Sequence, residues 1–181
     1  LTVGSITGIL KATSGVVSQA TAGSDYGQLT LATAQTASGT SVDFTSIPNW
    51  TKRITVMFSG VSTTGSSDYL LRLGSGLFLT SGYISSATSA SAGGNTTTTL
   101  ASGIALTCVQ VASSSICGIA VIQNINSNNW ASSSSLSRAD GVTFTGSGIS
   151  PSLSGSLDRI RITTVNGTDT FDAGTINISY E

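Results

Sequence analysis

The chain has 181 residues and a net charge of -1, a length that suits one ordinary domain with a short appendage. Its seven basic residues are too few to neutralise several phosphates, which argues against nucleic acid as a ligand. No apolar run approaches the roughly 20 residues that cross a bilayer, and the start at Leu1 lacks the layout of a secretion signal. We therefore expect a soluble chain without membrane insertion, and Leu1 in place of Met indicates a fragment or a processed chain.

Charged residues make up only 8% of the chain, while Ser and Thr supply roughly a third of it, so hydroxyl groups replace charges on the surface. Ser, Thr and Gly are poor helix formers, and Thr favours strands. The Val, Ile, Leu and Phe residues fall in alternating runs, which is typical of folded β-structure rather than disorder. The composition predicts an all-β protein with little helix.

Residues 1–27 are predicted to be a shaft-like linker. Gly4, Gly8, Gly15 and Gly23 punctuate short apolar pairs, and the segment is too short for a core of its own. Three copies wound together would bury one another's apolar side chains, as in a fibrous shaft, whereas the alternative is a flexible leader. The pattern predicts a homotrimer with an intertwined N-terminal segment.

Residues 28–181 are predicted to form one distal β domain, in which short strands alternate with Gly and Ser turns. The clearest strands are 53–58, 157–165 and 174–180, because their apolar residues recur at every second position. Roughly ten short strands with such turns favour an antiparallel β-sandwich of jelly-roll type. The residues expected to face its core are Ile54, Val56, Phe58, Ile160, Ile162, Ile176 and Ile178.

The middle of the chain is harder to assign. Residues 69–73 and 77–84 resemble a hairpin, whereas 85–99 lack large side chains and are expected to form an exposed, mobile loop. The apolar runs 104–111 and 116–125 indicate a second hairpin.

That second hairpin bears on the two cysteines. A turn centred near Ala112 and Ser113 would bring Cys108 and Cys117 face to face, so that a disulfide is conceivable. The other interpretation is two small buried apolar residues in a protein made in a reducing cytoplasm.

Catalysis finds little support in the sequence. The chain has no histidine, which removes the commonest general base and the commonest zinc ligand. Asp158, Asp169 and Asp172 are the nearest acidic cluster, but they suit turns and Arg pairs better than glycan cleavage. The spacing of Asn166, Asp169 and Asp172 matches no known pattern of a calcium-binding loop. We therefore assign no catalytic residue, no metal and no cofactor.

A binding surface is better supported. Aromatic rings stack on sugars and amides bind hydroxyls, and Trp130 beside Asn126, Asn128 and Asn129 supplies both. Tyr83 is a further candidate contact. The alternative is that Trp130 fills the core or a subunit interface, as large aromatics usually do. Trp50, which follows Pro48, is interpreted as structural.

Three stretches resemble a module of tailed-bacteriophage fibre and virion proteins. They are residues 8–26, then 47–62 with 73–74 and 81–83 beyond them, and finally 157–178 before Tyr180 and Glu181. The first is similar to linkers that join a shaft to a fibre tip, and the last resembles the C-terminal end of such tips. The resemblance implies the C-terminal domain of a tail fibre, a trimeric virion protein without catalytic residues.

The resemblance also implies a function and a location. Such a domain is made in the bacterial host cytoplasm, joins other fibre and tail proteins, and touches a host receptor, including surface glycans. A capsid decoration or head-fibre protein is the alternative, since these also form β-rich trimers on virions. A spike depolymerase is less favoured, because it ordinarily needs a long parallel β-helix with acidic residues.

Overall fold

The computed structural model describes residues 8–21 and 25–181, and in this part of the chain it contains sixteen strands and no helix. Gly4 and Gly23, two of the glycines that separate the apolar pairs of the predicted linker, lie outside the described residues. The strands are β1 (Leu10–Thr13), β2 (Val16–Gln19), β3 (Thr30–Leu31), β4 (Gln35–Thr36), β5 (Ser41–Thr45), β6 (Arg53–Thr63), β7 (Tyr69–Ser75), β8 (Leu77–Phe78), β9 (Ile84–Ser91), β10 (Gly94–Leu100), β11 (Ile104–Ala105), β12 (Ile116–Asn126), β13 (Asn129–Arg138), β14 (Thr143–Ile149), β15 (Arg159–Thr164) and β16 (Phe171–Tyr180).

The strands form three antiparallel sheets. The large sheet has nine strands in the order β10-β9-β14-β13-β12-β6-β16-β3, with β4 also paired to β16. The small sheet has five strands in the order β11-β7-β15-β5, with β8 paired to β7, and β1 and β2 form a separate pair. Side chains from both larger sheets meet in one apolar core. The predicted all-β, sandwich-like antiparallel fold is therefore confirmed.

The core lies between the inner faces of the two larger sheets. On the large sheet Ile54, Val56 and Phe58 alternate with exposed or half-buried neighbours, as the two-residue period of a strand requires. On the small sheet Ile160 and Ile162 do the same. All seven predicted core residues, which also include Ile176 and Ile178, are buried in the cluster.

Residues 85–99 form a hairpin, which corrects the prediction of an exposed loop. Strands β9 and β10 are antiparallel partners, and their register runs from the Ser85–Leu100 pair to the Ser91–Gly94 pair beside the turn. Ser85, Ala87 and Ser89 are buried on the inner face, where small side chains suffice. Thr has a high strand propensity, and its hydroxyl is accommodated on the outer face. Hydrogen-bonded ladders therefore order a segment that has few large apolar side chains.

The predicted hairpin of 104–111 with 116–125 is wrong, and the disulfide that it made conceivable is not formed; the other interpretation, two small buried residues, describes Cys108 but not Cys117. Only Ile104–Ala105 of the first run is a strand, and it pairs with β7 in the small sheet. The second run is β12, which pairs with β6 and β13 in the large sheet. Both cysteines are free, with Cys108 buried and Cys117 exposed on the outer face. Each run satisfies its backbone in a different sheet, so the two thiols never meet.

Strands β1 and β2 form a short hairpin whose apolar side chains are uncovered. Ser14 and Gly15 both have positive φ, 51° and 79°, as a two-residue turn of the tight hairpin type requires. Ile9, Leu10, Val16 and Val17 are all exposed, and Val16 is 66% accessible. We call this element the N-terminal hairpin (residues 9–20), and within the described part of the chain nothing covers these four side chains.

Candidate functional site

The predicted contact residues Asn126, Asn128 and Asn129 lie where β12 turns into β13, at one end of the large sheet. Asn126 is exposed at the end of β12, while Asn128 and Asn129 are partly exposed where the chain turns into β13. The Asn124 side-chain amide donates to the carbonyl oxygens of Ser127, at 3.3 Å, and of Asn129, at 3.2 Å. These bonds hold the turn, which we call the Asn turn (residues 126–129), in one conformation.

Trp130 is buried, which corrects the prediction that its ring stacks on a sugar. Its side chain is 2% exposed, on the inner face of β13 beside Ser132. Its backbone N–H donates to the Ser150 hydroxyl at 3.2 Å. Strand alternation turns Trp130 inward, opposite in direction to its neighbour Ala131. The alternative interpretation, in which this ring fills the core, describes the observed position.

Tyr83 is buried as well and takes a structural position. Its side chain is 2% exposed, and its hydroxyl accepts a hydrogen bond from the Leu73 N–H at 2.9 Å. The same hydroxyl lies 3.3 Å from the Leu79 carbonyl oxygen, to which it can donate. Burial raises the pKa of the Tyr83 hydroxyl above its ordinary value. The hydroxyl therefore ties the segment after β8 to β7, while the residue also lines a cavity of about 720 Å³ over β9, β10 and β14.

The other tryptophan, Trp50, borders an open pocket next to the Asn turn. The pocket encloses about 350 Å³, and we call it the Trp50 pocket. Trp50 lies in a turn before β6, in which the Thr51 N–H donates to the Pro48 carbonyl at 3.0 Å. Its ring is half-buried and packs on Tyr180, with centroids 5.8 Å apart. The residues that line the pocket are Gly27, Trp50, Lys52, Arg53, Gln123, Asn124 and Glu181.

Backbone hydrogen bonds fix the pocket to the sheet and to the Asn turn. The Lys52 carbonyl accepts from the Asn124 N–H at 2.8 Å, so Asn124 belongs to both features. The Glu181 carbonyl accepts from the N–H groups of Lys52, at 2.7 Å, and Arg53, at 2.9 Å. The pocket and the Asn turn therefore form one rigid surface at this end of the large sheet.

The electrostatics of the Trp50 pocket are those of a polar binding surface. The Arg53 guanidinium forms an ion pair with the Glu181 carboxylate. Lys52 is exposed and takes part in none of the ion pairs found among residues 8–21 and 25–181. Gln123 and Asn124 add amides beside the indole ring. A flat apolar ring with amides and cationic donors around it suits a ligand that carries both hydroxyls and apolar faces.

The sequence interpretation selects Trp130, whose ring is buried, and takes Trp50 as structural. Trp50 does pack on Tyr180, but it also borders an open pocket. A signal was present, since Lys52 and Arg53 are an adjacent basic pair in a chain with few charges. Alternation alone does not decide which tryptophan is exposed, because Trp50 lies in a turn rather than in a strand.

The three candidate acidic residues each have a structural partner. Asp158 pairs with Arg159, and this guanidinium lowers the pKa of the Asp158 carboxyl. Asp169 accepts from the Asn166 amide at 2.7 Å and from the Ser67 N–H at 2.9 Å, and these donors lower its pKa. Asp172 accepts a hydrogen bond from the Ser62 hydroxyl. The Asp158 and Asp169 carboxyls, whose pKa values are lowered in this way, are poor proton donors.

Neither a cluster that could hold a metal ion nor a helix that could span a membrane occurs among the described residues. No group of three or more His, Cys, Asp or Glu residues there is arranged to hold a metal ion. In the same residues, no helix is long and apolar enough to span a membrane.

Comparison with known proteins gives no relative. No protein-family model matches the chain, and no match was found among curated proteins or solved structures.

Proposed function

We propose that this chain is the distal, host-facing domain of a bacteriophage tail fibre, a non-enzymatic adhesion module of the virion. It works as a homotrimer, joins other fibre and tail proteins, and attaches to a receptor on the bacterial surface. The contact surface consists of the Trp50 pocket and the Asn turn. The proposal rests on the resemblance of residues 8–26, 47–62 and 157–178 to fibre modules, together with the properties of this surface.

The single observation that carries the binding role is the Trp50 pocket itself. An indole ring, two amides and two basic side chains converge on one open pocket of about 350 Å³. The pocket is held by backbone hydrogen bonds to β12 and is joined to a turn that displays three more asparagines. A rigid scaffold that presents polar groups and an aromatic ring from turns is typical of recognition surfaces.

The N-terminal hairpin supports the oligomeric part of the proposal. Its four exposed apolar side chains find no cover among the residues that the structure describes. Three parallel copies would bury them against one another and would place three pockets on one fibre. Several weak sites on one particle then act together through their effective concentration.

The test is binding of the fluorescently labelled domain to washed cells from a panel of bacterial strains. We expect at least one strain to bind, and Trp50→Ala to lower binding on the order of tenfold, which corresponds to about 1.4 kcal/mol. Leu77→Ala is the matched control, because Leu77 is 81% exposed and lies outside the pocket. Thermal unfolding checks that Trp50→Ala still folds, since the ring packs on Tyr180.

Gln123→Ala provides a second variant that does not disturb this packing, because Gln123 is exposed on β12. If the domain binds no strain, the adhesion function is wrong. If it binds and neither pocket variant weakens binding, the contact surface has been misplaced.

A further inference from the structure

Two more cavities lie on the same outer face of the large sheet as the Trp50 pocket. A small one of about 180 Å³ shares Gln123 with the Trp50 pocket and extends to Ala131 and Ser133. A larger one of about 720 Å³ lies over β14, β9 and β10, where its lining includes Ile149, Ile84 and Thr99. Together the three cavities cover the sheet from β6 to β10.

The strand register shows that the three cavities follow one line. Five residues on five neighbouring strands form a first row, in which each residue is the cross-strand partner of the next. Each of them borders at least one of the cavities. This row consists of Arg53, Gln123, Ala131, Ile149 and Ile84.

A second row runs beside the first; it is offset by two residues on β12, β13, β14 and β9 and continues onto β10. Its members are also cross-strand partners, and all of them border the same cavities. This row consists of Val121, Ser133, Ser147, Ser86 and Thr99. We call the two rows together the trough.

The trough is longer than a single sugar ring. Arg53 and Ile84 are separated by four strand intervals, and strands lie about 4.8 Å apart, so the first row spans about 19 Å. A ligand that fills this length lies across the strands, at right angles to them. An extended polymer fits such a path better than a compact molecule.

The chemistry of the trough identifies the kind of polymer. Beyond Arg53 the floor is uncharged and combines hydroxyls and an amide with aliphatic side chains, among which Ile84 is 76% exposed. A polyanion gains nothing along such a floor. A peptide that extends a sheet needs a free strand edge, whereas the trough lies on a sheet face. A sugar polymer offers both hydroxyls and apolar ring faces, which match Ser, Thr and Gln on one hand and Ile and Trp on the other.

We infer that the trough binds an uncharged linear polysaccharide whose chain crosses the strands from Trp50 to Ile84. This inference rests on the proposed adhesion function and adds the class of receptor and the direction in which it lies. The Trp50 pocket holds one end of the bound segment, and Ala131 lies at its middle.

The test compares chain lengths of a neutral polysaccharide. The wild-type domain is screened against a panel of neutral and acidic bacterial polysaccharides, and the one that binds best is partially hydrolysed into oligosaccharides. We expect a neutral polysaccharide to bind best and a hexasaccharide to bind on the order of tenfold more tightly than a disaccharide in calorimetry. Equal affinity for both lengths, or a preference for acidic polysaccharides, overturns the inference.

Variants locate the bound chain. Ala131→Trp fills the middle of the trough and should remove the gain with length, while disaccharide binding at the Trp50 pocket remains. Ser137→Trp is the matched control, because Ser137 lies on the same strand and the same exposed face but borders none of the three cavities. Ile84→Ser tests the far end without adding bulk, and it should weaken only the longer oligosaccharides.

The two proposals fail in different ways. Absence of binding to any cell removes the adhesion function. The other result is cell binding that depends on Trp50 and yet is unaffected by Ala131→Trp and Ile84→Ser. That result supports the adhesion function and contradicts binding of a polysaccharide along the trough.

Discussion

The two tryptophans have opposite surroundings, and this contrast decides where a ligand can bind. Trp130 is 2% exposed and packs in the core, whereas Trp50 is half-buried in a turn and borders a pocket. The sequence favours Trp130 as the contact, because asparagines lie beside it, and takes Trp50 as structural. A buried ring contributes mainly to stability, while a ring at the surface with one face free is available for stacking.

Ile160 tests the assignment of the core at the level of one side chain. It is 0% exposed and pairs with Phe44 on one side and Leu73 on the other. Ile160→Ala should lower the free energy of unfolding by about 2 to 5 kcal/mol, because it removes buried methyl groups and leaves a cavity. Denaturant unfolding measures the change, with Leu77→Ala as an exposed control. A loss below about 0.5 kcal/mol, the usual range for a surface site, contradicts the assignment.

Asp140 is expected to make stability depend on acid pH. The side chain of Arg138 is only 6% exposed and donates two hydrogen bonds of 2.9 Å to Asp140, which lower the pKa of that carboxyl. The pKa of this carboxyl is lower in the folded protein than in the unfolded chain, where it is about 4, so the ionised group stabilises the folded state above about pH 4. This stabilisation is lost as the pH falls through the folded-state pKa. Asp140→Asn should therefore destabilise at pH 7, and its difference from wild type should shrink toward pH 3. A difference that is constant over this range contradicts the prediction.

At the scale of elements, hydrogen-bonded pairing outweighs side-chain size. The β9–β10 hairpin forms although its inward residues are Ser and Ala, because β9 is paired on both sides, with β10 and β14. The segment of residues 106–115 contains apolar residues but forms no strand, and it packs as a loop that includes the buried Cys108. Alternating apolar residues predicted the strands that line the core, but they gave no signal for strands filled with small residues.

Gly118 tests an irregularity within one element. Strand β12 shifts its register with β6 between Ile116 and Gly118, and Gly118 has φ of +133°. A Cβ at this position would collide with the Ser135 carbonyl oxygen and lie 2.8 Å from the Leu136 Cα. Gly118→Ala should therefore cost more stability than Gly167→Ala.

Gly167 is the matched control because its φ is also positive, +69°, while a Cβ there would meet nothing within 4 Å. Its substitution should cost only the backbone penalty of about 1 kcal/mol. Thermal unfolding of both variants gives the comparison. Equal losses would mean that β12 relaxes around the added methyl group.

At the scale of the whole molecule, the N-terminal hairpin carries the expectation of a trimer. Val16 and Val17 are 66% and 49% exposed on β2. Replacing both with Asp should dissociate the trimer, because three pairs of like charges would meet where apolar contacts are expected. Light scattering at micromolar concentration measures the mass, with Leu77→Asp as the control. A wild-type monomer, or a trimer that survives the double substitution, contradicts the proposal.

The sequence by itself determined the fold class and much of the core. Val, Ile and Phe at every second position of residues 53–58 and 157–165 are sufficient to predict strands, because burial of one face requires that period. The sequence also determined that charged side chains contribute little to the surface of the protein, since the small number of charged residues does not depend on the fold.

Only the tertiary structure decided which residues face one another. The fold placed Cys108 in a buried loop and Cys117 on the exposed face of a strand. Cross-strand register turned Trp130 inward and aligned Gln123, Ala131 and Ile149 in one row of the trough. These are contacts between residues distant in the chain, and local propensity carries no information about them. A shift of one residue in a strand exchanges its two faces, so the exposed surface depends on pairing that only the folded sheet establishes.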